Sequence, residues 1–198
     1  MTLGKRCFDL FWFGLGLLVI WPFLLLTVII IKLDDGGPVF FRQERVGFRG
    51  RPFRMWKFRT MVVNAEALGR AITVGRDPRI TRAGHWLRKT KLDELPQLFN
   101  VLSGEMSLVG PRPEVPRYVA LYTLEQQRVL DVFPGITDPA SIKYRDENQV
   151  LAQAADPDRT YIEDVMPEKI RINLAYAERA SVAGDFGIIL QTFTKLLR

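Results

Sequence analysis

Two adjacent carboxylates, Asp93 and Glu94, stand among basic residues: Lys57, Arg59, Arg79, Arg82, Arg88, Lys89, Lys91 and Arg112. A carboxylate in the first turn of a helix is held as an anion by the unpaired N–H groups and the helix dipole, which suits it to act as a nucleophile or a metal ligand. Successive positions on a helix diverge by about 100°, so one of the pair can attack while the other holds a cation. The same residues admit a purely structural reading. Thr90-x-x-Asp93 has the form of a capping box, with Asp93 reaching back to the Thr90 amide. Taken singly, the basic residues are solvated surface charges. Taken together, they suit a di- or triphosphate, because arginine grips phosphate with two parallel N–H groups. Gly110-Pro111-Arg112-Pro113 sets one arginine on a stiff backbone, either as a phosphate clamp or as a plain turn. Neither a Walker loop nor G-x-G-x-x-G is present, so the common nucleotide folds are not indicated.

The elements that must position these groups follow from length, composition and periodicity. The chain has 198 residues, 47% apolar and 25% charged, which excludes a disordered tail and allows a core. One cysteine (Cys7) and one histidine (His85) exclude disulfide frameworks, thiolate metal sites and histidine-rich metal sites. His85-Trp86 reads as packing rather than catalysis. Net charge is +6 and uneven: residues 1–117 hold 19 Lys/Arg against 10 Asp/Glu, and residues 118–198 hold 9 against 12. A basic front half implies an anionic partner. Val39-Phe40-Phe41 and Phe53–Phe58 read as strands around the basic turn Gly47–Gly50. Residues 63–70 read as a helix. A helix is expected to begin at Thr90, with an apolar stripe at Leu92, Leu95, Leu98, Phe99 and Leu102. Further helices are expected over Val115–Val132 and Glu168–Ala180, and Phe186, Leu190, Phe193 and Leu197 make a last amphipathic stripe.

From Leu10 to Ile31 run 22 residues without a charge. As a helix they reach about 33 Å, enough for a hydrocarbon core of about 30 Å. A cleaved signal peptide is not expected, since no small-x-small site follows Ile31. Lys5 and Arg6 precede the segment, and Lys32, Arg42, Arg45, Arg49, Arg51 and Arg54 follow it. Basic flanks on both sides keep both ends on the cytoplasmic face. Pro22 lies mid-segment, so a helix broken at Trp21-Pro22 can enter and leave one leaflet; a straight span is the alternative. Lys5 and Asp9, four apart, are placed to pair with each other at the aqueous end.

A series of motifs runs almost the whole length of the chain: Pro38-Val39-Phe40-Phe41-Arg42-Gln43, Arg45-Val46-Gly47, Lys57-Phe58-Arg59-Thr60-Met61, Asp77-Pro78-Arg79-Ile80-Thr81, Leu92 through Leu102, Gly104 through Pro113, and Pro134-Gly135-Ile136-Thr137. It resembles the bacterial sugar transferases, the monotopic phosphoglycosyl transferases, in their minimal catalytic form. The resemblance implies transfer of a phosphosugar from a nucleoside diphosphate sugar, usually a UDP-sugar, to a polyprenol phosphate such as undecaprenyl phosphate. UMP leaves, and the polyprenol diphosphate sugar passes to downstream glycosyltransferases. It further implies Asp93 as nucleophile, a Mg²⁺ ion beside Asp93 and Glu94, phosphate contacts from Arg88 and Arg112, donor-pocket contacts from Lys57 and Arg59, and an acidic position at Asp185. Placement at the cytoplasmic face of the bacterial inner membrane, among membrane lipids, belongs to the same implication. Two features depart from the family pattern. Trp21 stands where Ser usually precedes the proline of the bend, and Asp138 stands where Gly usually follows Pro134-Gly135-Ile136-Thr137.

The expected fold is an α-rich α+β one: a membrane-embedded re-entrant helix-break-helix over 1–32, then a small globular cytoplasmic domain over 33–198 with short strands and interfacial amphipathic helices. The rival from another class is a non-enzymatic membrane adaptor that binds anionic lipid. It gives no role to Asp93-Glu94. A nucleic-acid binder has no use for the apolar segment.

Overall fold

The computed structural model describes residues 1–65 and 77–196. The helix expected over 63–70 falls largely outside these residues, as does the last member of the C-terminal stripe, Leu197; residues 63–65 form a turn. The chain opens on α1, Leu3–Asp35, a single helix of 33 residues. Thr2 caps its start by accepting from the Lys5 N–H, and Gly36 ends it at a left-handed φ of 69°. The expected break at Trp21-Pro22 is absent, and the helix runs on with Pro22 inside it. Proline removes one donor from the ladder while the bonds on either side persist, so it permits a kink without forcing a gap. Only Asp9, Thr27 and Ile31 of α1 are buried. Phe11, Leu18, Val19, Trp21 and Leu25 are each more than half exposed.

Strands β1 (Phe40–Val46) and β2 (Pro52–Phe58) form an antiparallel hairpin. The expected basic turn connects them, with Arg49 at a positive φ of 55°. Side chains alternate along β2, so Lys57 shares the inward face of buried Phe53 and Met55. Helix α2 (Arg82–Thr90) follows, capped by Thr81, whose side chain accepts from the Gly84 N–H at 3.0 Å. A 3₁₀ turn over Leu92–Gln97 leads into α3 (Leu98–Ser103). Strands β3 (Ser107–Val109) and β4 (Gly135–Thr137) pair in parallel. The helix expected over Val115–Val132 is split into helical turns at Pro116–Val119, Leu124–Gln127 and Arg128–Asp131. Thr123 is the cause: with Gln126 it makes a capping box that starts a new turn. Helices α4 (Met166–Glu178) and α5 (Val182–Leu196) close the chain. The architecture is α-rich α+β, as the sequence leads one to expect.

Two apolar clusters hold the site in place. Phe53, Met55, Val101 and Met106 join β2 to α3. Ile31, Phe58 and Leu87 join the end of α1 to β2 and α2. A third cluster, around Tyr118, Leu151, Tyr161 and Ile170, packs the C-terminal half. Buried Asn100 replaces a strand neighbour for β2: it accepts from the Trp56 N–H at 2.9 Å and donates to the Arg54 carbonyl at 3.0 Å. Two glycines mark close backbone approaches. A Cβ on Gly84 would lie 2.1 Å from the Thr60 carbonyl oxygen, and one on Gly135 would lie 2.1 Å from the Gly110 nitrogen.

Candidate active site

Helix α2 ends at Lys91, in the left-handed region at φ 58°, and the chain turns there into the 3₁₀ segment that carries Asp93 and Glu94 in its first turn. The pair therefore opens a helical segment, though the segment does not begin at Thr90. Thr90 belongs to the last turn of α2, where its hydroxyl donates to the Trp86 carbonyl at 3.0 Å. No capping box forms, because the left-handed Lys91 turns the chain away between Thr90 and Asp93. Asp93 is 7% exposed, and its Oδ1 has no hydrogen-bond partner among the described residues.

Glu94 is the opposite case. Arg112 grips it with both terminal nitrogens, Nη1 donating to Oε2 at 3.0 Å and Nη2 donating to Oε1. Lys57 Nζ stands 3.5 Å from the same Oε1. Arg112 is delivered by a backbone clamped on both sides: Gly110 N–H donates to the Thr137 carbonyl and Gly135 N–H to the Pro111 carbonyl, each at 3.0 Å. Arg45 holds the far side, donating to the Pro113 carbonyl at 3.0 Å and to the Glu114 carboxylate at 3.1 Å. Arg88 lies one turn before Asp93 and donates from Nε to the Thr60 hydroxyl at 2.8 Å. The close seating of Gly84 on Thr60 permits this contact.

The electrostatics separate the two carboxylates. Burial pushes Asp93 up to about 6, with the neighbouring Glu94 charge adding to it and Lys57 and Arg88 opposing. Burial acts on Glu94 in the same sense, but Arg112 and Lys57 overcome it and hold Glu94 well below the usual carboxylate range. Burial lowers Lys57 to about 8, against the attraction of Glu94. One carboxyl is thus buried, with a raised value and one oxygen that has no hydrogen-bond partner among the described residues, and its neighbour is a fixed anion inside a cationic grip. Among the described residues no three His, Cys, Asp or Glu side chains gather to hold a metal ion. Two adjacent carboxylates with one unpartnered oxygen still fit a cation that takes its remaining ligands from phosphate.

The structure brings Asp93, Glu94, Lys57, Arg88 and Arg112 into one site. It places the other candidates elsewhere. Arg59 clasps the Asp35 carboxylate at the end of α1 and donates to the Met61 carbonyl at 3.0 Å. Asp185 is buried against Lys5 and accepts from the Tyr176 hydroxyl at 2.6 Å. Trp21 and Pro22 lie in the bare middle of α1. His85 and Trp86 are exposed on α2, so the packing expected of them is absent. Lys5 and Asp9 do not pair: Lys5 goes to Asp185, and Asp9 accepts from the Leu108 N–H at 3.2 Å. Sequence reasoning missed Gln97, buried in the same 3₁₀ turn with no partner for either polar side-chain atom among the described residues, and Arg45 as a support for the Arg112 segment. The alternation of β1 was an available signal for Arg45; Gln97 has none beyond its place inside the Leu92–Leu102 motif.

Among the described residues, one helix is long and apolar enough to cross a membrane, and the globular part joined to it carries a carboxylate pair in a cationic grip. The profile of the bacterial sugar transferase family matches residues 1–198, and the chain belongs to that family. It is 49% identical over 147 residues, 71% of its length, to an undecaprenyl-phosphate glucose phosphotransferase of Komagataeibacter xylinus. It is 38% identical over 196 residues, 98% of its length, to the UDP-N-acetylgalactosamine-undecaprenyl-phosphate N-acetylgalactosaminephosphotransferase of Aeromonas hydrophila. It is 38% identical over 200 residues, 96% of its length, to the UDP-glucose:undecaprenyl-phosphate glucose-1-phosphate transferase of Escherichia coli K12. The chain spans 28%, 43% and 39% of the lengths of these three relatives.

Proposed function

We propose that the protein transfers a phosphosugar from a UDP-sugar to undecaprenyl phosphate in two displacements on Asp93, starting assembly of a glycan. In the first, the Asp93 carboxylate attacks the sugar-bearing phosphorus, the bond to the UMP oxygen breaks, and UMP leaves. In the second, an oxygen of the lipid phosphate attacks the same phosphorus and Asp93 is released. Two steps on a side chain let a soluble donor and a lipid acceptor use one site in turn. The observation that carries this reading is the buried, unpartnered Asp93 oxygen beside a Glu94 that Arg112 holds in place. A carboxylate oxygen with no hydrogen bond is a stronger nucleophile than a solvated one. Arg112 spends two of its five N–H groups on Glu94 and keeps three for phosphate. Lys57 and Arg88 add positive charge where the diphosphate must sit, which offsets the charge that builds up as UMP departs. The two carboxylates fit a magnesium ion with phosphate oxygens as its other ligands, and the chemistry such an ion supplies when bound is charge neutralisation on the diphosphate.

We also propose a re-entrant placement of α1 at the cytoplasmic face of the inner membrane. Both ends of the helix are held by the same globular body: Arg6 donates to the Leu102 carbonyl at 2.8 Å near the start, and Ile31 packs on Phe58 and Leu87 near the end. A straight crossing would put these two positions on opposite sides of the bilayer, where one globular body could not hold both. The exposed apolar surface lies between them.

Incubation of the full chain with a UDP-sugar and Mg²⁺, without polyprenol phosphate, tests the first proposal. UMP release and a mass gain of one phosphosugar on the peptide containing Asp93 are expected. Asp93→Asn is expected to stay folded and to lose turnover. The donor panel includes UDP-glucose and UDP-N-acetylgalactosamine, the donors named for the relatives. A donor that is turned over with lipid phosphate but leaves no adduct overturns the assignment.

A further inference from the structure

Strand β3 pairs with β4 on one edge. At its other edge, two side chains of α1 stand where a second strand would. Asp9 Oδ1 accepts from the Leu108 N–H at 3.2 Å, and Lys5 Nζ donates to the Val109 carbonyl at 3.0 Å. The two residues lie four apart on one helix face, which is why one turn of α1 can supply both an acceptor and a donor to an extended edge. The contact is held from behind. Lys5 also pairs with buried Asp185, and the Tyr176 hydroxyl donates to Asp185 at 2.6 Å and lies 3.4 Å from the same Val109 carbonyl. Arg6 next to Lys5 donates to the carbonyls of Val101 and Leu102, at the end of α3.

Marking the cytoplasmic end of a membrane helix needs only exposed basic residues. Here Asp9 is fully buried and the Lys5 side chain is 16% exposed, at a cost in desolvation that topology does not require. From Val109 the chain passes at once through Gly110 and Pro111 to Arg112, with prolines on both sides of that arginine. Fixed proline φ angles leave little slack between the edge of β3 and the guanidinium that grips Glu94.

We infer that Lys5 and Asp9 are positioning residues: they set the free edge of β3 and, through the stiff Gly110–Pro113 segment, the Arg112 grip on Glu94, so that the site is assembled only when the start of α1 is seated on the globular body. This rests on the function proposed above. The test uses the full chain in lipid nanodiscs, with Lys5→Met and Asp9→Leu set against Lys5→Arg and Asp9→Asn, which keep a donor and an acceptor. Misplacing a group by about 1 Å can cost on the order of a hundredfold. The two disruptive variants are therefore expected to raise the donor KM or lower kcat by about tenfold to a hundredfold per folded, membrane-bound enzyme, with Tm near wild type in Asp9→Leu and lowered in Lys5→Met, which leaves Asp185 buried without its cation. The two conservative variants are expected within about threefold of wild type. Amide exchange across residues 107–112, read on the same samples, is expected to quicken in Asp9→Leu and not in Asp9→Asn. Asp9→Asn as damaging as Asp9→Leu, kinetic losses that merely track loss of folded membrane-bound protein, or unchanged exchange each overturn the inference. If wild type releases no UMP, the proposed function fails by itself, and the exchange comparison still decides the coupling.

Discussion

Under the proposed mechanism, Asp93 and Lys57 set the pH range in which the site can work. Below about 6 the Asp93 carboxyl is protonated and cannot attack, and above about 8 Lys57 loses its charge and Glu94 loses one of its cations. The kcat/KM profile for UMP release is therefore expected to be bell-shaped with limbs near these two values. A profile flat through pH 6 removes Asp93 as the ionising group. The same burial has a price in stability. The folded-state value of Asp93 lies above its ordinary 3.8, so its contribution is fully present below that pH and is lost as pH rises through about 6. Asp93→Asn removes the buried anion and is expected to stabilise the fold at pH 8 by about 1–3 kcal/mol, with no gain at pH 4. Thermal unfolding at the two pH values checks it. A capping role for Asp93 predicts no such pH-dependent gain, since Asn also caps well.

Among the elements, the β3–β4 pair is tightly constrained, because two backbones touch where Gly110 meets Gly135. A Cβ at Gly135 would lie 2.1 Å from the Gly110 nitrogen and 2.6 Å from its carbonyl oxygen, with no flexible side chain to move aside. Gly135→Ala is expected to cost about 2 kcal/mol or more and to weaken the Arg112 grip. Gly14→Ala on α1, where nothing lies within 4 Å, is the matched control and is expected to be neutral or mildly stabilising. Equal stability of the two variants by denaturant unfolding contradicts the close approach. The 3₁₀ turn shows how an element gives a side chain its role. Left-handed Lys91 breaks the path from α2, and the residues after it face β2 instead of continuing the stripe of a longer helix.

On the scale of the molecule, α1 is a bare apolar helix whose two ends are both tied to one body. The re-entrant placement proposed above would put the N-terminus and the site on the same side of the membrane. Thr2→Cys in a Cys7→Ser background is expected to resist an impermeant thiol reagent applied to the periplasmic face and to react in inverted vesicles. Labelling from the periplasm means a straight span. The exposed stripe on α5, with Phe186, Leu190 and Phe193 from 38% to 59% exposed, adds apolar surface next to the start of α1, where Trp12 packs on Phe186 at 5.5 Å. Such a helix suits the headgroup layer.

The properties legible in the sequence are those that neighbours along the chain decide. The unbroken apolar run from Leu10 to Ile31 needs no partner to be recognised, and the period-2 pattern of the hairpin and the stiff Gly-Pro-Arg-Pro segment are equally local. Asp93-Glu94 stands out for the same reason, as an acidic pair in basic surroundings. Which partner each charge takes was decided only by contacts between distant segments. Lys57 and Arg59 look alike in sequence, yet Lys57 lies inside β2 on the face toward Glu94, while Arg59, one residue past the end of the strand, is met by Asp35 from the end of α1. Lys5 and Asp9 are spaced to pair with each other, yet buried partners on α5 and β3 outcompete that exposed contact. Thr90 and Asp93 have the spacing of a cap, and one left-handed residue between them undoes it. Charge and periodicity act over a few residues and can be read along the chain. Burial and partner choice arise only when segments tens of residues apart exclude water between them.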